Sequence, residues 1–244
     1  MKCRCHDYTN QIINLEKILD SIEISLKNKS GLSLVRFGHG EISYLSWPFN
    51  RELVQHFHYW SQYAGFREPP KKIYPKLLEA LRQTDIAGLP PEDDWDNPIW
   101  DDRMCKVLHY FNISPKKVCS SWLPQELIPV ERFWEILRGY KISIVGRRAK
   151  EGVKAFNKQG VEVTNTISLE PGEEKKVHSY LCSKNNWDIT LVSAGFPGKL
   201  VTPKLSKSSK RIVIDFGHAL DQLIEGDEVD WKLIISIWKK DNLK

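Results

Sequence analysis

The chain has 244 residues, 41% hydrophobic and 27% charged, which is one large domain or two small ones with the ordinary balance of a soluble globular protein. Its net charge of +5 is mild and spread along the chain, which argues against a nucleic-acid binder and suits an anionic small molecule or an anionic membrane surface. No apolar run approaches a membrane span, MKCRCHDYTN does not read as a signal peptide, and the five cysteines (Cys3, Cys5, Cys105, Cys119, Cys182) form no paired CxxC motifs that would hold a structural zinc.

A cytoplasmic protein with reduced thiols is therefore expected. Cys3, Cys5 and His6 are read as part of a frayed terminus rather than a metal site. The segment from Tyr8 to Lys29 is predicted to be a helix, because Ile12, Leu15, Ile18, Leu19, Ile22 and Leu26 recur at helical spacing. Gly31 closes it, and Leu32 to Phe37 reads as a strand. A tight Gly38-His39-Gly40 turn follows, with Glu41 just beyond it. YPKLLEALRQ and DDRMCKVLHYF are helical candidates, and IAGLPPEDDWDNPIW between them reads as a long loop. Trp47, Trp60, Trp95, Trp100 and Trp122 lie among polar residues and prolines. Each reads as packing a loop onto the core ahead of stacking on a ring-shaped ligand.

From Tyr140 the pattern becomes regular. YKISIVG, VEVTNTISL, DITLVSAG and KRIVIDFG read as strands, and EGVKAFNKQG, GEEKKVHSYLCSKN and GKLVTPKLSKSS as the helices between them. Such alternation predicts parallel strands joined by crossover helices, covered on both faces. The expected fold is α/β, a Rossmann-like, mostly parallel sheet flanked by helices. It is expected as a single domain over residues 1–244, with a loop-rich first half 1–139, a regular half 140–221 and a tail 222–244. The tail segment EVDWKLIISIWKKDNLK reads as a strand or an amphipathic helix packed on the sheet; peripheral contact with the inner face of a membrane is the weaker alternative.

Ligands in open α/β sheets lie beyond the carboxyl ends of the strands. The turn after Phe37, VGRR at 145–148, SAGFPGK at 193–199 and DFGHALD at 215–221 all meet that rule. SAGFPGK is neither a Walker A loop nor GxGxxG, but its Gly195 and Gly198 can let backbone N–H groups approach a phosphate, and Lys199 can add charge. Asp215 can bind a ribose, orient a histidine, act as a base, or simply cap the next turn. His218 can be a general base, a phosphate donor, a metal ligand, or sheet-edge packing. Glu41 with His39 can bind a divalent ion, and Arg36 needs an anionic partner, either a ligand phosphate or Glu41 itself.

LVRFGHGE resembles the RFGDGE signature of the GT-D fold glycosyltransferases, bacterial nucleotide-sugar enzymes of protein and surface-polysaccharide glycosylation. DITLVSAGFPGKLVTPKLSKSSKRIVIDFGHALD is similar to that family's strand, Gly-Pro-Thr-type turn, helix and closing DIGH strand, and ISIVGR to the strand that opens its regular half. The resemblance spans roughly Ser33 to Asp221. It implies a nucleotide-sugar donor, such as UDP-glucose, and a divalent metal, manganese or magnesium, bridging the diphosphate. By position the family's acidic pair falls on His39 and Glu41, with Arg36 and Gly38 beside them. Its glycine turn falls on Gly195, and its closing motif on Asp215, Gly217 and His218. Two departures stand out: His39 replaces the first acid, and GFPG replaces Gly-Pro-Thr, removing a hydroxyl. Arg147, Arg148 and Lys150 make the segment after Gly146 more basic, which can compensate by pairing the diphosphate.

The leading expectation is a transferase moving a sugar from a nucleotide donor to a hydroxyl of a glycan, glycoprotein or lipid-linked acceptor. Arg36, Gly38, Arg147, Gly195, Gly198, Lys199 and Gly217 would hold the donor, Glu41 with His39 the metal, and Glu41, Asp215 or His218 would act in catalysis. The alternative is a catalytically impaired nucleotide- or glycan-binding partner of an active transferase. A different nucleotide-dependent enzyme, such as a methyltransferase, is disfavoured because no early GxGxG turn is present.

Overall fold

A computed structural model describes Tyr8, residues 11–91 and 103–226, and residues 230, 233 and 236. Seven strands form one sheet in the order β3-β2-β1-β7-β6-β4-β5. They are β1 (Leu32–Arg36), β2 (Ile86–Leu89), β3 (Val118–Ser120), β4 (Ile142–Gly146), β5 (Val163–Ile167), β6 (Ile189–Ser193) and β7 (Ile212–Asp215). Every pairing is parallel, as the alternation in the second half predicts.

The period of two along each strand divides the core into two layers. Leu32 and Leu34 of β1, Ile142 and Ile144 of β4, and Ile212 and Ile214 of β7 face one side. There they meet the helices α1 (Leu15–Lys27), α7 (Leu123–Leu127), α8 (Glu131–Arg138), α9 (Ala149–Lys158) and α12 (Ala219–Glu225). Val35 and Phe37 face the other side, under α2 (His39–Leu45), α5 (Pro70–Gln83) and α6 (Arg103–Tyr110). Val145, Val192 and Val213 continue that side under α10 (Glu174–Cys182) and α11 (Gly195–Ser209). Two single-turn helices, α3 (Leu53–His56) and α4 (His58–Ser61), complete the described helices of at least four residues. β5 lies at the sheet edge, and all five of its residues stay only half-buried.

Several sequence expectations change. The first helix begins at Leu15, capped by Asn14, whose side chain accepts the Lys17 N–H at 3.0 Å. Ile12 and Ile13 instead run beside Val118, with the Ile13 N–H donating to its carbonyl at 2.9 Å. The apolar spacing continues through them, but the open edge of β3 competes for their backbone groups. Ile86 to Leu89, expected as the start of a loop, is the fully buried strand β2. Four residues offer too short a pattern to separate from the following Pro and Asp, and pairing with β1 decides the matter. Gly38-His39-Gly40 is not a free turn, because His39 already belongs to α2. Likewise Gly195 opens α11, three residues ahead of the helix expected from Gly198. The expectations for Cys3, Cys5, His6, Trp95 and Trp100, and most of the loop and tail around them, lie outside the described residues. Among the described residues no helix is long and apolar enough to cross a membrane.

Candidate functional site

β1, β4, β6 and β7 are neighbours at the centre of the sheet, so their carboxyl ends open side by side. All four segments singled out in the sequence meet there. They line a cavity of about 730 Å³ that includes Arg36, Gly38, His39, Glu41, Arg147, Arg148, Ser193, Gly195, Lys199, Gly217, His218 and Asp221. That volume is in the usual range for a small-molecule site. Gly198 and Asp215 do not line it. Gly198 packs on β6, where an added Cβ would lie 3.0 Å from Val192.

The floor is an ion network. Asp215, at the tip of β7, is completely buried. Its Oδ2 accepts from the Lys199 ammonium and, at 3.0 Å, from the Arg36 backbone N–H, with the Arg36 Nε at 3.5 Å. Burial pushes the Asp215 carboxyl up, but Lys199 and Arg36 outweigh it and hold it below the usual carboxylate range. Lys199 extends from the first turns of α11 and is only 3% exposed. Its ammonium also faces Glu41 Oε1 at 3.9 Å. The other Glu41 oxygen accepts the Gly38 N–H at 2.9 Å, so Glu41 closes the start of α2 from within its own first turn.

Arg36 leaves this floor toward the cavity, and its Nη1 donates to the Ser121 carbonyl at 3.4 Å. It lies across Gly217, whose φ is +48°, and a Cβ there would sit 1.4 Å from Arg36 Nη2. Only glycine admits both that backbone and that guanidinium. Gly195 has a similar constraint: at φ +55° its Cβ would meet the Ala64 carbonyl oxygen at 2.4 Å.

The rim is more exposed. The His218 side chain is 51% accessible, and its Nδ1 lies 3.5 Å from Asp221 Oδ2. Asp221, three residues on, is buried and accepts from Arg148 Nη1 at 3.1 Å. Arg148 also donates to Glu151 and Glu225, so three carboxylates hold it. Arg147 stacks over the Tyr63 ring at 4.3 Å and donates to the Tyr63 carbonyl at 2.9 Å. Burial, with Asp221 adding to it, pushes the Tyr63 phenol up to about 12, so it stays protonated at neutral pH. Trp60, Trp122, Phe57 and Gln125 complete the walls. Trp60 and Trp122 therefore stand where ring stacking is possible, whereas Trp47 stacks on Tyr74.

A match of residues 13–223 to the model of the GT-D fold-like domain decides the family. The chain belongs to the GT-D fold-like family. One similar solved structure is described as "The highly conserved domain of unknown function 1792 has a distinct glycosyltransferase fold". It is 18% identical, with a TM-score of 0.54, over 88% of this chain and 81% of that one. The selenomethionine-substituted structure of domain of unknown function 1792 has the same identity and coverage, with a TM-score of 0.50. Among curated proteins there is no match. The seven-stranded parallel sheet is thus a GT-D-type glycosyltransferase fold.

The family signature falls at the start of α2, and there a divalent ion fits poorly. One Glu41 oxygen is taken by the Gly38 N–H, and the other faces a buried ammonium. Asp215, the other acid at the floor, is bound to the same ammonium. Among the described residues no three His, Cys, Asp or Glu side chains are grouped to hold a metal ion. The donor set of this GT-D site does not suit a divalent cation.

Sequence reasoning passed over Tyr63, His56, Phe57, Gln125 and the pairing of Asp221 with His218. The His218–Asp221 spacing of three residues on a helix start is the one signal that could have found a member of this set. Of the others, His56 and Gln125 come from short helices and Phe57 and Tyr63 from the turns beside them, without a periodic pattern.

Proposed function

We propose that the protein is a glycosyltransferase that moves a sugar from a nucleotide-sugar donor, such as UDP-glucose, to a hydroxyl of a glycan, glycoprotein or lipid-linked acceptor. The observation that carries this reading is the convergence of three cations, Arg36, Arg147 and Lys199, with a histidine–aspartate pair, in one cavity at the strand ends of a GT-D-type fold. On this reading the cations hold the diphosphate and neutralise the charge that grows on the leaving nucleotide. Gly38, Gly195 and Gly217 keep the backbone close to it. Trp60, Trp122 and Tyr63 offer flat surfaces for the base and the sugars.

His218 is the favoured base for the acceptor hydroxyl. It is half-exposed at the cavity, and Asp221 faces its Nδ1 and orients the ring. Glu41 and Asp215 are less suited, because each already faces Lys199. Transfer and hydrolysis measured over a panel of nucleotide sugars test the reading, and neither turnover nor binding of any donor would overturn it. A second reading, a binding partner without catalysis, is favoured by the engagement of both floor carboxylates with Lys199. Donor binding without turnover on any acceptor would select it.

A further inference from the structure

We propose that this cavity takes the diphosphate of its ligand without a divalent cation, the Lys199 ammonium standing where a bridging metal would. The inference rests on the nucleotide-sugar reading above and concerns how that donor is held. A metal bridging a carboxylate to a diphosphate needs a carboxylate oxygen free to approach it within ~2.0–2.6 Å. Glu41 and Asp221 are acids that line the cavity. One Glu41 oxygen accepts the Gly38 N–H and the other faces the Lys199 ammonium at 3.9 Å, while Asp221 accepts from Arg148 and faces His218. The ammonium is not a mobile surface group. It is buried, and Asp215 at the end of β7 anchors it from below. A dication placed at Glu41 would have to enter beside this fixed positive charge, and the two would repel. The same charge favours a phosphate oxygen instead.

The neighbouring cations extend the surface. Arg36 reaches the cavity over Gly217, and the Arg147 guanidinium lies over the Tyr63 ring. Arginine at such places recognises phosphate by a planar, two-pronged contact, while lysine supplies a point charge. Together they provide both forms of recognition. Folding places them before any ligand arrives, because Arg36 and Lys199 share Asp215.

The test is calorimetry of the full chain with UDP, GDP, ADP and dTDP, in EDTA and again in excess Mn²⁺. The expected result is binding of at least one nucleoside diphosphate with dissociation constants in the two conditions that agree within about fivefold, roughly 1 kcal/mol. Binding that needs Mn²⁺, or tightens more than about fivefold with it, overturns the inference and leaves the transferase reading standing. No binding of any of the four in either condition overturns both. The double variant Lys199→Met/Asp215→Asn removes both charges of the buried pair, while Arg36 keeps the Ser121 carbonyl and Glu41 keeps the Gly38 N–H. With its fold verified by circular dichroism, it should bind in EDTA at least about fivefold more weakly. Unchanged affinity would remove Lys199 from the assignment.

Discussion

The floor and the rim of the cavity hold the same kinds of side chain under opposite conditions. At the floor, Asp215 and Lys199 are buried and bound to each other, and Arg36 and Glu41 close around them. At the rim, His218 is half-exposed, and Asp221 and Arg148 support it from the protein side. Charges buried without partners are costly, so an incomplete floor lowers stability. The rim is open to a ligand. Proximity to a cavity therefore does not by itself mark a reactive group: its exposure to that cavity counts as well.

The sharpest way to break this contrast is to remove the anion at the floor. Asp215→Ala leaves Lys199 and Arg36 buried without their shared carboxylate, and should lower stability by about 3–5 kcal/mol in urea unfolding. A loss under ~1 kcal/mol would show the floor to be solvated after all. At the rim, His218→Asn should reduce turnover by about 100- to 10,000-fold on the proposed reading, with the urea midpoint unchanged. Comparable loss of stability would place His218 with the floor.

Gly217→Ala lies between the two regions. It sets a Cβ into the Arg36 guanidinium and forces an unfavourable backbone, so about 1–3 kcal/mol of stability should go. Arg36 should lose its hold on a phosphate in the same variant, read as weakened nucleotide binding. Acid unfolding probes the floor more gently. The folded Asp215 carboxyl lies below its unfolded value, so its contribution is complete above the unfolded pKa and disappears as pH falls through the folded one. Asp215→Asn should therefore flatten the fall of stability below about pH 4. Asp85, also held low by Lys116 and Ser33 despite its burial, keeps part of that slope. The smallest effect is expected from Trp122→Ala, a residue that is 44% exposed. Loss of one stacking surface should weaken binding of a nucleotide sugar by about tenfold or less, without a change in the melting temperature.

Much of the fold can be read in the sequence because it rests on local chemistry. β-branched runs at 142–146, 189–193 and 212–215, separated by amphipathic helices, already require parallel strands. The first half is harder to read. β2 and β3 have four and three residues, too few for a period to stand out, and α8 begins beside Pro129 without a side-chain cap. At the site, Arg36, His39, Glu41, Arg147 and His218 could be found because each lies at or just after a strand end within a recognisable motif. Lys199 was legible as a residue but not as a buried one, since its neighbours in sequence read as a solvated helix start.

By itself the sequence determined the alternation of strands and helices and the strand ends at which polar residues gather. Spacing along the chain is enough for both, because strand and helix periods are local properties. Only the tertiary structure decided that β1 lies against β7, and with it that the Arg36 backbone reaches Asp215, 179 residues away. That adjacency turns Lys199 inward between Glu41 and Asp215 and leaves His218 and Asp221 at the mouth. Which charges are neutralised and which remain available depends on long-range strand pairing and burial, and no local pattern in the chain encodes these.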